Sequence, residues 1–155
     1  MNIQFENHIR SIESMIIENK KSLLLDICQY LKNNIFHYDW VGFYILRNGE
    51  LVLGDFAGKP TQHTNIAIGK GVCGQVAASK TTMIVQDVTQ IDNYISCGLD
   101  VQSEIVVPIL NNGKFIAELD IDSHSPSPFL EDDKIFLEKV CKLIPIELLL
   151  RTSKN

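Results

Sequence analysis

The sequence predicts an α+β domain in which one central antiparallel β-sheet packs N- and C-terminal helices on one face. Two observations support this class. Helix-like periodicity fills both ends of the chain, and two strand–turn–strand patterns with Asn-Gly turns lie between them. A chain of 155 residues suits one domain, spanning 1–155, with a core of its own.

The first segment, residues 1–35, predicts two short helices or one bent helix. No proline or glycine occurs from Ile3 to Leu31, and apolar residues recur at spacings of three and four. A polar interruption follows Glu18, and Ser22 at its end is a candidate cap for a second helix.

Residues 36–124 are predicted to hold the sheet and the active-site loops. Aromatic and β-branched runs flank the two Asn-Gly turns and therefore predict two hairpins: Trp40–Leu46 with Leu51–Leu53, and Ser103–Leu110 with Phe115–Ile121. Pro108 has no backbone N–H, which indicates an edge position or a bulge.

The segment between the hairpins has a different character. Glycine-rich Gly69–Gly74 leads into a short predicted helix over Gln75–Ser79 and a brief strand over Thr82–Val85. A long polar loop then covers Asp87–Asp100, and long loops inside compact domains are often functional.

The C-terminal segment, residues 129–151, predicts one helix. Acidic residues fill its first turn and Arg151 stands at its end, which suits the helix dipole. Pro145 is expected to kink this helix.

Composition excludes several classes of function. The net charge is -5 without a basic run, so no nucleic-acid partner is expected. No apolar stretch approaches a membrane span, and the N-terminus does not have the pattern of a secretory signal. We therefore expect a cytoplasmic protein whose thiols are reduced.

The four cysteines divide into two pairs. Cys28 and Cys141 lie in apolar helical stripes, which favours buried core thiols. Cys73 and Cys97 each precede a glycine outside such stripes, and are either incidental loop residues or reactive thiols. Cys73 also stands at a predicted helix start, where backbone N–H groups stabilise a thiolate.

Metal and phosphate signatures are missing from the sequence. It contains no Cys-x-x-Cys or His-x-x-x-His motif, and His63 and His124 are isolated, so no metal site is expected. The glycine-rich run lacks the Gly-Lys-Ser/Thr ending of a phosphate-binding loop.

Acidic residues recur near the second hairpin. Glu118, Asp120 and Asp122 share a period of two and therefore one face of a strand, with Glu104 close by. One interpretation is a solvated sheet face. The other is an acidic cluster that binds an ammonium group or keeps one carboxyl protonated at neutral pH.

These motifs together resemble the free methionine-(R)-sulfoxide reductases, a family of stand-alone GAF-type domains. The resemblance covers roughly residues 36–137 and rests on six motifs in order: Asp39-Trp-Val-Gly-Phe-Tyr44, Gly58-Lys-Pro60, Gly69-Lys-Gly-Val-Cys-Gly74, Ile95-Ser-Cys97, Ser103-Glu-Ile-Val-Val-Pro108 and Leu119-Asp-Ile-Asp-Ser123. It implies a GAF-like fold and reduction of free L-methionine-(R)-sulfoxide with electrons from thioredoxin, without a bound cofactor. It also suggests a homodimer.

The resemblance assigns roles by position. Cys97 corresponds to the nucleophile and Cys73 to its partner cysteine, with these two roles open to exchange. Glu104, Asp120 and Asp122 match the substrate-binding acids, and Trp40 matches the aromatic wall of the pocket. The third cysteine that the family usually has is replaced by His63, which leaves Cys73 and Cys97 as the expected disulfide pair.

The implied chemistry fits these residues. A Cys97 thiolate attacks the sulfoxide sulfur, and a neutral carboxylic acid such as Glu104 protonates its oxygen. The resulting sulfenic acid condenses with Cys73 to a disulfide, which thioredoxin reduces. Other acids bind the α-ammonium, while Trp40 and Tyr44 contact the S-methyl group.

Two alternatives remain at this stage. One is a GAF module that senses a small ligand such as a cyclic nucleotide, although an acidic pocket repels phosphate. The other is a thiol redox switch that has no substrate.

Overall fold

Strands occupy the middle of the chain. The structure is a computed structural model that describes residues 1–91 and 100–151. Its strands are β1 (Trp40–Arg47), β2 (Glu50–Ala57), β3 (Asn65–Ala67), β4 (Met83–Val85), β5 (Ser103–Asn111) and β6 (Lys114–Ser123). The described residues form one antiparallel six-stranded sheet of order β3-β2-β1-β6-β5-β4, which confirms the α+β, GAF-like prediction.

The helices lie mainly at the two ends of the sequence. They are α1 (Ile3–Glu18), α2 (Leu23–Asn34), α3 (Gly71–Ser79), α4 (Glu131–Leu143) and α5 (Ile146–Leu150), with a 3₁₀ turn at Val88–Gln90. Among the described residues, no helix combines the length and apolar composition that a bilayer crossing requires.

The N-terminal segment forms two helices rather than one bent helix. Asn19 adopts the left-handed conformation, with φ 52°, and closes α1. Ser22 is the residue before α2, but its hydroxyl donates to the Asp26 carboxylate 2.8 Å away and makes no side-chain cap. The prediction that the Ser22 side chain caps α2 is therefore wrong, although the predicted start of the helix is confirmed.

The C-terminal segment corrects the prediction of one kinked helix. Ile144 and Pro145 are extended, with ψ 126° and 118°, so the helix divides into α4 and α5. Proline lacks the N–H that would continue α4, and it disfavours the helical conformation of the residue before it.

Both predicted hairpins are present, as β1–β2 and β5–β6. Pro108 pairs with Glu118 on β6 but lies beyond the last β4 pairing, which is Met83 with Val106, and a register shift follows at Ile109/Leu110. This edge position beside a bulge is where the missing N–H costs least. The three-residue strand β3 was not predicted because so short a run has no detectable alternation.

The two faces of the sheet bury separate cores. The larger core lies between the sheet and the terminal helices α1, α2, α4 and α5, which confirms that these helices share one face; its sheet side includes Val41, Phe43, Ile105, Leu119 and Ile121. The smaller core lies under α3 and includes Trp40, Tyr44, Cys73 and Val106. Because side chains alternate along a strand, the strand residues that follow or precede those of the larger core in sequence point to the opposite face, toward α3.

Candidate active site

Four carboxyl groups are buried on the α3 side of the sheet. Glu104 is 2% exposed, and Glu118, Asp120 and Asp122 are each 0% exposed. The solvated-face interpretation of these acids is therefore wrong. Buried carboxyls this close together repel one another when ionised, so their protonation is the central electrostatic feature of the site.

Strand register explains why the acids converge. On β6, Asp122 stands between Trp40 of β1 and Glu104 of β5. Two residues earlier, Asp120 stands between Gly42 and Val106 in the same way. The acids that alternate in the sequence thus form one row on the central strand β6. Glu104 of the neighbouring strand β5 adds one more carboxyl beside that row.

Two of the acids hold protons more tightly than usual. Burial raises the pKa of Glu104 well above its ordinary value, and the charges of Asp120 and Asp122 raise it further. Burial and the Asp120 charge likewise raise the pKa of Glu118, while the adjacent Cys73 thiol partly offsets the rise. Carboxylic acids in such surroundings stay neutral near pH 7 and can donate a proton.

Cys73 lies against this row, in the first turn of α3. It is 5% exposed, and its thiol donates to Glu104 Oε1 across 3.8 Å. The predicted helix from Gln75 in fact starts at Gly71, so the helix N-terminus is directly beside this sulfur. Cys73 therefore lies at a helix start, as the sequence predicted.

The glycine-rich run brings α3 close to the sheet. A Cβ on Gly74 would lie 2.6 Å from the Ala67 carbonyl oxygen and 2.9 Å from the Gly69 nitrogen. Only glycine permits this approach of α3 to β3. The run therefore serves close packing, and it brings Cys73 to Glu104.

An aromatic wall borders the acids. Trp40 stacks on Phe56 with ring centroids 5.6 Å apart, and its Nε1–H donates to the Lys59 carbonyl at 3.0 Å. Tyr44 is fully buried and donates its hydroxyl to the His63 carbonyl at 2.8 Å. Trp40 and Tyr44 thus line the same side of the sheet, and the backbone of His63 anchors Tyr44.

Glycine also shapes this wall, which the sequence analysis missed. A Cβ on Gly42 would meet Trp40 Cη2 at 2.4 Å, and one on Gly58 would meet Trp40 Cδ1 at 2.6 Å. The indole lies over β1 only because position 42 has no side chain. The signal was present in the Trp-Val-Gly spacing, which places residues 40 and 42 on one strand face.

The other three cysteines are Cys28, Cys97 and Cys141. Cys28 and Cys141 are buried, and burial raises the pKa of both thiols, which confirms their prediction as core residues. Cys97, the predicted nucleophile, lies outside the described residues.

One group of buried side chains could hold a cation. The Cys73 sulfur and one carboxylate oxygen each of Glu104 and Asp120 lie within 4.8 Å of one another. Sequence spacing did not indicate this set because its members come from α3, β5 and β6.

Comparison with known proteins places the chain among related sequences and structures. The GAF domain family matches residues 21–148. The free methionine-R-sulfoxide reductase of Saccharomyces cerevisiae is 40% identical and covers 88% of this chain and 72% of its own length. The reduced structure of the Staphylococcus aureus fRMsr is 37% identical with TM-score 0.85, covering 93% and 94% of the two chains. The Neisseria meningitidis free methionine-R-sulfoxide reductase, solved with its substrate, is 34% identical with TM-score 0.83, covering 90% and 84%.

Proposed function

Because this chain belongs to the GAF domain family and, within it, to the free methionine-R-sulfoxide reductases, we propose that it reduces free L-methionine-(R)-sulfoxide to methionine. The observation that carries the proposal is the row of buried carboxyls beside a helix-start cysteine and an aromatic wall.

Substrate selection follows from charge. A free amino acid carries an α-ammonium group, which Asp120 and Asp122 can bind in the buried row. The nitrogen of a protein-bound methionine is an uncharged amide and offers these acids no charge. The site therefore favours the free amino acid.

The aromatic wall suits the other end of the substrate. Trp40 and Tyr44 have ring centroids 6.4 Å apart and present apolar surface beside the acids. Sulfur and its methyl group contact aromatic rings favourably. We assign the S-methyl group to this wall.

The reaction transfers one oxygen atom. The Cys97 thiolate attacks the sulfoxide sulfur while Glu104, held neutral by burial and its acidic neighbours, protonates the sulfoxide oxygen. Methionine leaves as the thioether, and the oxygen remains on Cys97 as a sulfenic acid. The substrate sulfur gains two electrons, and the cysteine sulfur loses two.

A second thiol completes the cycle. The Cys73 sulfur attacks the sulfenic acid, a disulfide forms and water leaves with the oxygen. Thioredoxin then restores both thiols by exchange. If the two cysteine roles are reversed, Cys73 attacks the substrate and Cys97 resolves the intermediate.

The acidic site disfavours the alternative of a cyclic-nucleotide sensor. A phosphodiester would enter beside four carboxyl groups that are at most 2% exposed. The ionised members of this row repel a phosphate strongly in buried surroundings, which disfavours its binding.

The test is an epimer-resolved assay of NADPH consumption with thioredoxin and thioredoxin reductase. The R epimer of the free sulfoxide is expected to support turnover, whereas the S epimer and a peptide sulfoxide are not. Cys97→Ser should abolish turnover. Full activity of that variant, or none in the wild type, would contradict the proposal.

The proton donor has its own test. Glu104→Gln keeps the side-chain shape but removes the proton, so methionine formation in a single turnover should slow by about 10²-fold or more. Glu13→Gln, on an exposed position of α1, is the matched control and should match the wild type. An unchanged rate in Glu104→Gln would assign proton transfer to another group.

A further inference from the structure

The donor set of Cys73, Glu104 and Asp120 has the composition of a site for a thiophilic metal ion. One thiol sulfur and two carboxylate oxygens lie within 4.8 Å of one another, and all three residues are buried. Thiolate ligands select ions such as Zn²⁺ over Mg²⁺ and Ca²⁺, which prefer oxygen alone. The three ligands also come from three different elements, so the fold itself brings them together.

The spacing fits zinc. With Zn–S near 2.3 Å, Zn–O near 2.1 Å and a tetrahedral angle, the sulfur and oxygen ligands of one zinc ion stand about 3.6 Å apart. The Cys73 sulfur and Glu104 Oε1 are 3.8 Å apart. These two donors need almost no movement to share an ion, and one Asp120 carboxylate oxygen lies within 4.8 Å of both.

The partners of the buried carboxyls around this donor set also indicate a cation site. Glu118 is fully buried, and its carboxyl has the Cys73 thiol, itself one of the proposed ligands, as a hydrogen-bond partner. Glu104 Oε2 is also buried and accepts no hydrogen bond within the described part of the chain. No ion pair joins Glu104 or Glu118 to a basic side chain among residues 1–91 and 100–151. Buried carboxylates normally have a positive partner, so a metal ion that displaces the protons of this pocket would supply the charge that balances it.

We propose that the reduced protein binds one thiophilic divalent cation, Zn²⁺ or an ion like it, through Cys73, Glu104 and Asp120. Binding displaces the thiol proton and joins sulfur and oxygen to the ion without oxidation. The ion occupies the place of the substrate's polar groups and ties up Cys73. It therefore inhibits the reductase reversibly. This inhibitory part depends on the function proposed above, whereas metal binding does not.

The binding experiment uses the full chain, reduced with a phosphine and stripped with a chelator. Calorimetric titration with ZnCl₂ should show one tightly bound equivalent. Cys73→Ser and Asp120→Asn should each weaken that equivalent by roughly a hundredfold or more. Cys141→Ser removes a buried thiol elsewhere and should bind as the wild type does. Wild-type affinity in Cys73→Ser overturns the proposal.

A spectroscopic readout identifies the ligand directly. Cobalt(II) bound by a thiolate gives an intense charge-transfer band, which should appear in the wild type and in Cys141→Ser. It should be missing from Cys73→Ser. Asp120→Asn keeps the thiol, so it should show the same band at a higher cobalt concentration. This second variant tests the site even if Cys73→Ser does not fold, and an unchanged cobalt affinity in Asp120→Asn overturns the ligand set.

Activity then separates the two proposals. Zinc should inhibit turnover competitively with the sulfoxide, and a chelator should restore it. Zinc that binds through Cys73 without affecting turnover contradicts the inhibitory role alone. A protein that binds zinc as described but reduces no sulfoxide leaves the metal site standing and overturns the proposed function.

Discussion

Single residues decide the shape of the pocket. Trp40 is the one tryptophan in the chain, and its indole is fixed by stacking on Phe56 and by a hydrogen bond to the Lys59 carbonyl. Gly42 makes room for it two residues along the same strand. The pocket wall therefore depends on an absent side chain as much as on the aromatic ring.

We predict that Gly42→Ala displaces the indole. The added Cβ would stand 2.4 Å from Trp40 Cη2 and 2.7 Å from Cζ3, so the ring must move. Overpacking of this kind costs about 1–3 kcal/mol, and the sulfoxide KM should rise about tenfold with it. The emission of the single tryptophan, read together with KM, measures the displacement.

Gly54→Ala on β2 is the matched control for this variant. Its nearest contact is 3.1 Å to the flexible end of Ile45, which can adjust. Its tryptophan emission and KM should resemble those of the wild type. Equal effects from the two alanines would mean that Trp40 does not depend on the space at position 42.

At the scale of elements, α3 sets where Cys73 lies. The helix rests on β3 through Gly74, and the Gly74 N–H and carbonyl both bond within the Gly69–Lys70 turn. The approach of this one helix to the sheet fixes the 3.8 Å contact between Cys73 and Glu104.

Gly74→Ala tests that contact. The sign of the change in the free energy of unfolding tells which of two opposing effects is larger. Alanine stabilises an ordinary helix interior by about 1 kcal/mol relative to glycine. Here its Cβ would lie 2.6 Å from a backbone oxygen that cannot rotate away. We therefore expect a loss of about 1–3 kcal/mol in the free energy of unfolding, with slower disulfide formation.

Denaturant unfolding and a thiol titration after one turnover measure these two effects. Ala78→Ser, at an exposed position of the same helix, should leave both nearly unchanged. A Gly74→Ala protein more stable than the wild type would show that α3 can move away from β3 without penalty.

The acidic row and the C-terminal helices show which parts of the fold could be predicted from the sequence and which could not. Period-two acids and Asn-Gly turns are local signals, so the hairpins and the acidic row could be predicted. The burial of that row could not, because it depends on α3 covering the sheet from a distance in the chain. The Ile144–Pro145 break was misjudged as a kink, since a helical pattern continues through both residues while the backbone does not.

For the molecule as a whole, a buried polar link ties the start of the sheet to the C-terminal helix. Asp133 of α4 accepts hydrogen bonds from Tyr38 at 2.8 Å and from the Leu130 N–H at 2.8 Å, and it pairs with His37 at 2.7 Å. Burial by itself would raise the pKa of Asp133, but these partners together hold it below its ordinary value.

This pairing makes global stability depend on pH. A carboxyl whose folded pKa lies below its unfolded value stabilises the protein above the unfolded pKa, and that contribution disappears as pH falls through the folded pKa. Asp133→Asn should therefore lower the free energy of unfolding by about 1–3 kcal/mol at pH 7. The difference from the wild type should shrink below about pH 4, where the unfolded carboxyl takes up its proton.

Denaturant unfolding across this pH range checks whether the stability difference between Asp133→Asn and the wild type shrinks in acid. Asp132→Asn, beside it and paired at 3.5 Å with the N-terminal amino group, is the control for a partly exposed acid and should have a smaller effect at pH 7. A gap between Asp133→Asn and the wild type that widens in acid would contradict the assignment.

The pairing of β1 with β6 at the centre of the sheet has a consequence for the kinetics of folding. Each outer hairpin joins neighbours in sequence, but Trp40 meets Asp122 only after a long loop has closed. Contacts between residues far apart in sequence form slowly because of the entropy of closing that loop. Partly folded chains can therefore contain both hairpins and still lack the pocket, so recovery of substrate binding during refolding reports the completion of the whole sheet.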